Sequence, residues 1–365
     1  MTITNETDTT NTANLLEKQL ETEPKTEPTF AGLSVILRSI QTTTTPIELD
    51  RWLALTDFGE DINPIWIPLR KADGVTKIMP VLPDANLYEQ LMRSLWRQIA
   101  SSNLVEWRQK PYEIGGVEVN SDSLHKIAIA INSIQPLPPT LARAIHALCF
   151  RWFANTSPEL AANLHQQETL PLTTGWEYCS PKKILLKISL LQKELLAPLL
   201  WGMNADLGQE ITLAGIPCRM HGSIEITQTT SFEKLVQLAN QNSLNPAINF
   251  KFLTPTSFKQ AKKVQTFPLP DLVFGGLLRR WNKFAPSSLN FPKIEWDAVV
   301  SAYELKTYAM KMEGGAEIGA EGVIRYKFAD SEQARIATIL AHFATFAGVG
   351  RKTTMGMGQV TIRNS

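Results

Sequence analysis

Apolar residues recur along the chain with two periods, and the switching between them predicts its elements. His125–Ile134 (HKIAIAINSI) alternates and is β-branched, so it reads as a strand. Pro136, Pro138 and Pro139 close it, and Thr140 stands where a cap would begin a helix from Leu141 to Ala154. Ser157 and Pro158 then read as the cap and first residue of a short second helix ending near Leu164. Strands are expected at Leu170–Tyr178 and Lys183–Leu190, a helix at Lys193–Met203, and further strands across Ile211–Thr227. The order β-α-β-β-α-β is that of a ferredoxin-like domain. A similar order follows: a helix at Phe232–Gln241, a strand at Ala247–Leu253, and a helix at Leu269–Phe284 with Leu277, Leu278 and Trp281 on its apolar side. After these come a hairpin of Ala298–Met312 and Glu317–Phe328 around Gly314-Gly315, a helix at Glu332–Phe346, and a closing strand at Gln359–Arg363. The fold class expected is therefore α+β, with tandem ferredoxin-like (RRM-like) domains over 121–228 and 229–365 and an N-terminal extension.

Upstream the pattern changes. Residues 1–28 are rich in Thr, Glu and Asn with few apolar positions, and read as a disordered tail. Residues 29–120 are globular in composition. They hold a short apolar run at Ser34–Ile40, an apolar-periodic stretch at Ile47–Leu55, and a helix predicted from Ala85 to Ala100 whose Leu87, Leu91, Leu95 and Ile99 share one face. With no histidine and no clustered carboxylates of catalytic spacing, this part reads as an accessory or docking domain.

Composition narrows the function classes. The 365 residues, 44% of them hydrophobic, suffice for more than one core. Cys149, Cys179 and Cys218 are too few and scattered for a disulfide scaffold or a zinc knuckle, no CxxC occurs, and the odd count fits a reducing compartment. The best apolar run, Ile184–Met203, is broken by Lys187, Lys193 and Glu194, and the first residues lack a basic start followed by an apolar run. Membrane and secretory readings are set aside, and a cytoplasmic protein is expected. The net charge of +1 conceals a gradient, from −4 over residues 1–28 to +7 over residues 251–365. A basic C-terminal third is what a polyanion site would produce, although Lys and Arg also solvate ordinary surfaces.

The sharpest local feature is Gly348-Val-Gly350-Arg-Lys-Thr-Thr-Met-Gly356-Met-Gly358, between the last predicted helix and strand. Glycines at this density let backbone turn tightly and approach a ligand, and Arg351 and Lys352 add charge. It is not a P-loop, because Arg351 separates Gly350 from Lys352 and the helix precedes rather than follows. It is not GxGxxG either, because Thr353 fills the third glycine position. A plain glycine-rich connection and a phosphodiester-backbone cradle both remain open on these residues alone.

At this loop the sequence resembles the CRISPR-associated repeat-processing endoribonucleases of the RAMP superfamily. FAGVGRKTTMGMGQV (Phe346–Val360) looks like their C-terminal glycine-rich motif in full. KFLTPTSFK (Lys251–Lys259), LPDLVFGGLLRRWNKF (Leu269–Phe284) and SPELAANLHQQETLPLTT (Ser157–Thr174) resemble three further family segments, in the expected order. The likeness covers about 125–363, with residues 30–120 outside it. It implies metal-independent cleavage of the CRISPR repeat in precursor crRNA by 2′-hydroxyl attack, giving 2′,3′-cyclic phosphate and 5′-hydroxyl ends. No cofactor is implied, and no Asp, His or Cys cluster has metal spacing. The partner implied is CRISPR repeat RNA, with a CRISPR effector complex and a homodimer as further partners left open.

Histidine suits the proton transfers such a reaction needs, since its pKa lies near working pH. Of His125, His146, His165, His221 and His342, His165 stands where the resemblance places the catalytic histidine. His146 lies on the preceding helix, where many members carry a tyrosine four residues on; here that residue is Phe150, which transfers no proton. His146 and His165 are the acid/base pair expected, without assignment of base and acid. The family often has a lysine shortly after the histidine, and here Gln166–Leu170 holds no cation, so Lys182, Lys183, Arg143 or Arg151 would have to supply one through the fold. The RNA-binding residues expected are Gly348, Gly350, Arg351, Lys352, Gly356 and Gly358, with Arg279 and Arg280 beside them. The competing readings are a non-catalytic RNA-binding subunit of an effector complex and a ribonuclease acting on another small structured RNA.

Overall fold

Strand alternation and helix periodicity resolve into three large sheets and one two-stranded sheet in the computed structural model, which describes residues 30–53, 63–69, 76–241, 247–312 and 314–363. The tail expected over 1–28 lies outside the described residues. The N-terminal part forms β1 (Gly32–Ser39), β2 (Ile47–Glu48), β3 (Ile65–Leu69), β4 (Thr76–Val81), β5 (Leu104–Trp107) and β6 (Lys110–Asn120), in the sheet order β2-β5-β6-β1-β4-β3. Helices α1 (Leu49–Trp52) and α2 (Tyr88–Ser101) belong with this sheet, and α2 turns Tyr88, Leu91 and Leu95 into its core.

The central domain follows the predicted order: β7 (Leu124–Ser133), α3 (Ala142–Thr156), α4 (Pro158–Gln166), β8 (Leu172–Ser180), β9 (Lys183–Leu190), α5 (Leu196–Met203), then β10 (Glu210–Leu213), β11 (Ile216–Met220) and β12 (Glu225–Thr230). Its sheet runs β10-β11-β7-β9-β8, the ferredoxin-like arrangement with the first and third strands in the middle. The last strand is divided: β11 pairs with Ile131–Ser133 of β7, and β12 with its Leu124–Ala128 half. Ile127, Ile129 and Ile131 point from one face of β7 into the core beneath α3 and α5, as a period of two requires. One expectation fails. Leu141, buried and already helical in conformation, begins α3 with no side-chain cap, so Thr140 does not cap it. Ser157 does cap α4, its Oγ accepting from the Leu160 amide at 3.1 Å.

A linking helix, α6 (Phe232–Gln241), leads into the second domain: β13 (Ala247–Thr256), the small hairpin β14 (Phe258–Gln260) and β15 (Lys263–Gln265), α7 (Pro270–Phe284), β16 (Ala298–Met312), β17 (Gly315–Phe328), α8 (Ser331–Ala347) and β18 (Val360–Ile362). The sheet order β16-β17-β13-β18 repeats the ferredoxin-like arrangement. Helix α8 packs on two partners. Its inner face fills the second-domain core, which also takes in Leu124 and Leu191 of the first. At its C-terminal end the Phe346 carbonyl accepts from Thr173 Oγ1 of β8 at 2.9 Å, and the Lys126 ammonium lies 4.6 Å from the Phe346 ring centroid. The chain leaving α8 is thereby delivered onto the edge of the first domain.

The apolar run within 184–203 also finds its reason here. Helix α5 is buried almost all round because it is covered on two sides. Leu196, Leu199 and Leu200 enter the first-domain core together with Ala31, Ile67, Met79 and Val81 of the N-terminal sheet, while Ala197 enters the core of that sheet. The Ile224 amide adds a backbone bond to the Pro68 carbonyl at 3.1 Å. The N-terminal part thus shares a core with the central domain. Among the described residues no helix is long and apolar enough to cross a membrane.

The α3–α5 contact is close enough to test. A Cβ on Gly202 would stand 1.7 Å from the Trp152 carbonyl oxygen and 2.9 Å from Thr156 Oγ1. Gly202→Ala is expected to destabilise the protein by at least about 2 kcal/mol through overpacking, read as a lower urea midpoint at unchanged slope.

Candidate active site

Helices α3 and α4 are joined by the single residue Ser157, and this tight link folds them into a hairpin that brings His146 and Phe150 of α3 against His165 of α4. The Phe150 ring is buried and stacks on the His165 imidazole, with centroids 3.9 Å apart at 22°. It also touches His146, centroids 4.6 Å apart, as neighbours at i and i+4 should. The two imidazoles lie 6.4 Å apart, His165 exposed and His146 half-buried. Phe150, unable to move a proton, serves as the wall both histidines lean on.

The glycine-rich loop closes over this pair from the second domain. Gly350 (φ +80°) passes so near β13 that a Cβ would meet the Ser257 carbonyl oxygen at 2.4 Å, and Gly356 (φ +87°) lies equally close to the Trp176 ring of β8. At both positions a left-handed backbone and a close approach coincide, which only glycine satisfies. Many of the loop amides are already engaged, within the loop or on the end of β13: Val349 donates to Gly358 at 2.8 Å, Arg351 to Ser257 at 3.0 Å, and Gly358 to Pro255 at 3.2 Å. The loop is a folded knot more than an open cradle. Its Thr354 carbonyl accepts two bonds from the first domain, from Thr174 Oγ1 at 2.8 Å and from His146 Nδ1 at 3.3 Å.

That second bond fixes chemistry. A carbonyl can only accept, so Nδ1 of His146 carries the proton and Nε2 is left with a lone pair. Burial pushes His146 below the ordinary imidazole pKa, the neighbouring His165 charge adds to this, and the Thr354 carbonyl opposes it. A neutral His146 at working pH follows. The remaining histidines lie apart from this pair. His125 is fully buried in β7, held by Asn120 Nδ2 at 2.9 Å and lowered to about 4 by desolvation. His221 is exposed and bonds within its own turn to Ser223, and His342 is half-buried on α8.

Beside the histidines a groove of about 670 Å³ runs between the domains, bordered by Gln167–Leu170, by α7, and by Gly348, Gly350 and Thr354 of the loop. Six cations line it, Lys259, Arg279, Arg280, Lys283, Arg351 and Lys352, against one carboxylate, Glu168. The cations are not equivalent. Arg351 and Lys352 both bond Glu317 of β17, Arg351 at 3.1 Å, and the Lys352 hydrogen bond holds the Glu317 carboxyl below the usual range. Arg280 turns inward, donating to the Ala347 carbonyl that ends α8, and desolvation lowers it to about 10, still charged at neutral pH. Arg279 is exposed at the groove wall. Lys283 reaches across to the Thr169 carbonyl at 3.0 Å. Of the cations considered from sequence, Arg151 is ion-paired to Asp206, and Lys182 and Lys183 sit at the β8–β9 turn, the opposite end of that hairpin from His165. Arg143 lies exposed one turn before His146. Thr174, Thr354 and Lys283 lie inside the motif segments without being singled out there, and Glu317 lies outside them. Among the described residues no three His, Cys, Asp or Glu are grouped to hold a metal ion.

The chain is similar to known proteins. Residues 250–360 match the family model described as CRISPR-associated endoribonuclease Cas6. A CRISPR-associated endoribonuclease Cas6 of Streptococcus thermophilus is 24% identical over 163 residues, covering 42% of this chain and 65% of that protein. Among solved structures, a Cas6 product complex superposes with a TM-score of 0.59 at 24% identity, covering 66% of this chain and all of its own. Thermus thermophilus Cas6 does so with a TM-score of 0.52 at 24% identity, covering 66% and 99%. These likenesses establish the tandem ferredoxin-like fold, and with the four motifs they bear out the resemblance to the CRISPR repeat-processing endoribonucleases.

The electrostatic coupling within the pair can be measured. In an NMR pH titration His146 is expected to titrate below the ordinary 6.5, and in His165→Ala its midpoint should move up, because a neighbouring charge that disfavours the imidazolium has gone.

Proposed function

We propose that this Cas6-like chain is an endoribonuclease that cleaves CRISPR repeat sequences in precursor crRNA by attack of the ribose 2′-hydroxyl, without a metal ion. The observation that carries this reading is the His146–Thr354 hydrogen bond. It leaves Nε2 of a neutral imidazole available as a base, 6.4 Å by ring centroid from the exposed His165 and beside a basic groove.

The nucleophile is held by the RNA itself, so the protein has to align it, move two protons and stabilise charge. His146 Nε2 accepts the 2′-hydroxyl proton as the 2′-oxygen bonds to phosphorus. The bond from phosphorus to the 5′-oxygen breaks, and His165 donates a proton to that oxygen. A 2′,3′-cyclic phosphate and a 5′-hydroxyl result, with protons and electrons balanced. The resemblance left base and acid unassigned; the Thr354 bond and the depressed His146 pKa support His146 as the base. Arg279, Lys259 and the Arg351–Lys352 pair supply the positive wall for the RNA backbone, and the glycines keep the loop low enough for that backbone to pass.

The test uses the full chain, its cognate repeat RNA and EDTA. Site-specific cutting should occur, fall by about 10²–10⁴ in His165→Ala and in His146→Ala, and leave a cyclic phosphate on the upstream fragment. Because the base must be neutral and its pKa is depressed, the rising limb of the kcat/KM profile should lie below pH 6.5. Tight, salt-sensitive binding without cutting would instead identify a non-catalytic RNA-binding subunit, and equal cutting of unrelated hairpins a ribonuclease of broader substrate.

A further inference from the structure

The second-domain sheet ends on a long open edge. Strand β16 pairs with β17 on one side, and among the described residues no strand bonds its other side. Its 15 residues include no proline, and one irregularity, at Ser301, interrupts its pairing. Folded proteins ordinarily blunt such an edge, because its free amides and carbonyls template pairing with another chain. Here three large apolar side chains stand in water along it, Val299 60%, Tyr303 64% and Tyr308 47% exposed.

The faces of the strand follow from its register with β17. Tyr303 and Leu305 lie opposite Ile324 and Gly322 on the helix side, where Leu305 packs against the second-domain core and the Tyr303 ring meets Phe267 edge-on, centroids 5.4 Å apart. Ala302, Glu304, Lys306 and Tyr308 take the other face. Glu304 and Lys306 are exposed and ion-paired to nothing among the described residues, Lys306 lying opposite Glu321 without a bridge. An antiparallel neighbour sets residues of like face against each other, so two copies of β16 can pair symmetrically only about a residue. A two-fold at Glu304 sets that carboxylate against itself, and one at Lys306 does the same for the ammonium. A two-fold at Tyr303 or Thr307 leaves both charges without a partner. At Leu305 alone, Glu304 of each copy meets Lys306 of the other, Ala302 meets Tyr308, and Tyr303 meets Thr307. Tyr303 of the second copy then stands at the rim of a cavity of about 490 Å³ lined by Phe267, Leu305, Thr307 and Ala320 among others.

We propose that β16 is a homodimer interface, in which two copies of this chain pair their β16 edges antiparallel about a two-fold at Leu305 and merge two four-stranded sheets into one of eight strands. Backbone hydrogen bonds over residues 302–308 supply the attraction, as in other strand additions. The two reciprocal Glu304–Lys306 pairs select the register, and the irregularity at Ser301 ends it. None of the groove residues takes part, so the inference stands apart from the ribonucleolytic reading.

Sedimentation equilibrium of the full chain without RNA tests it, each variant being checked for an unchanged melting temperature. The parent should show a monomer–dimer equilibrium. Glu304→Lys and Lys306→Glu should each weaken the dimer by at least about tenfold, and the double exchange should return it to within about threefold of the parent. A cysteine reads the register directly, in a Cys179→Ser background because Cys149 and Cys218 are buried. Leu305→Cys should give a disulfide-linked dimer on oxidation, since directly opposed Cα atoms lie about 4.5–5.5 Å apart, within disulfide reach. Thr307→Cys should not, because its counterpart is displaced four residues along the strand. A chain that stays monomeric up to about 100 μM would overturn the proposal. So would a dimer indifferent to either charge reversal, a double exchange that fails to restore it, or cross-linking at Thr307 in place of Leu305.

Discussion

The Thr354 carbonyl belongs to the glycine-rich loop of the second domain yet accepts from two side chains of the first, Thr174 and His146. The geometry of the site hangs on this shared acceptor. It seats the loop on β8, fixes which imidazole nitrogen carries the proton, and does both only when the two domains are docked. The glycines serve that contact as much as any ligand: with a Cβ on Gly350 or Gly356, Ser257 or Trp176 would hold the loop off, and the carbonyl could not reach α3. Helix α8 is the mechanical link, since its core contacts position the chain from which the loop departs.

The basic character of the C-terminal third acquires a finer meaning from the structure. Arg351 and Lys352 reach the groove already oriented by Glu317, so their charge is preorganised and partly balanced. Arg280 stabilises the last carbonyl of α8, where the loop begins, while its motif neighbours Trp281 and Asn282 bond the segment after α7, at Leu289 and Phe291. A groove assembled this way presents donors in fixed places and requires little reorganisation when a polyanion arrives. It also explains why a chain of nearly zero net charge can hold a strongly polarised site: the compensating acids lie elsewhere in the sequence.

The repeated β-α-β-β-α-β order was legible because each element carries its own period and its own stops. The predicted strand across 125–134 and the helices ending near Leu164, Phe284 and Phe346 all reappear within a few residues. Thr140 failed as a cap because burial of Leu141 sets the helix entry, which is a core effect and not a local one. The N-terminal sheet was scarcely visible: β6 carries Gly115-Gly116 in its middle, and strands β3 and β4 owe part of their place to packing against α5. The all-round apolar surface of α5 could be seen in the sequence, but not what covers it.

His146 and His165 were expected from sequence through the family resemblance, and the glycine loop through its glycine density. The bonds that turn those residues into a site span 208 positions from His146 to Thr354, 180 from Thr174 to the same carbonyl, and 114 from Lys283 to Thr169. Nothing in a local pattern encodes such pairings, because they arise from how two independently patterned domains dock. The amino-acid order determined which elements form and which side chains could do chemistry. Docking of the two domains decided the tautomer of His146 and the arrival of a lysine beside the segment that follows His165, while the fold of the second domain itself gave the loop cations their Glu317 partner.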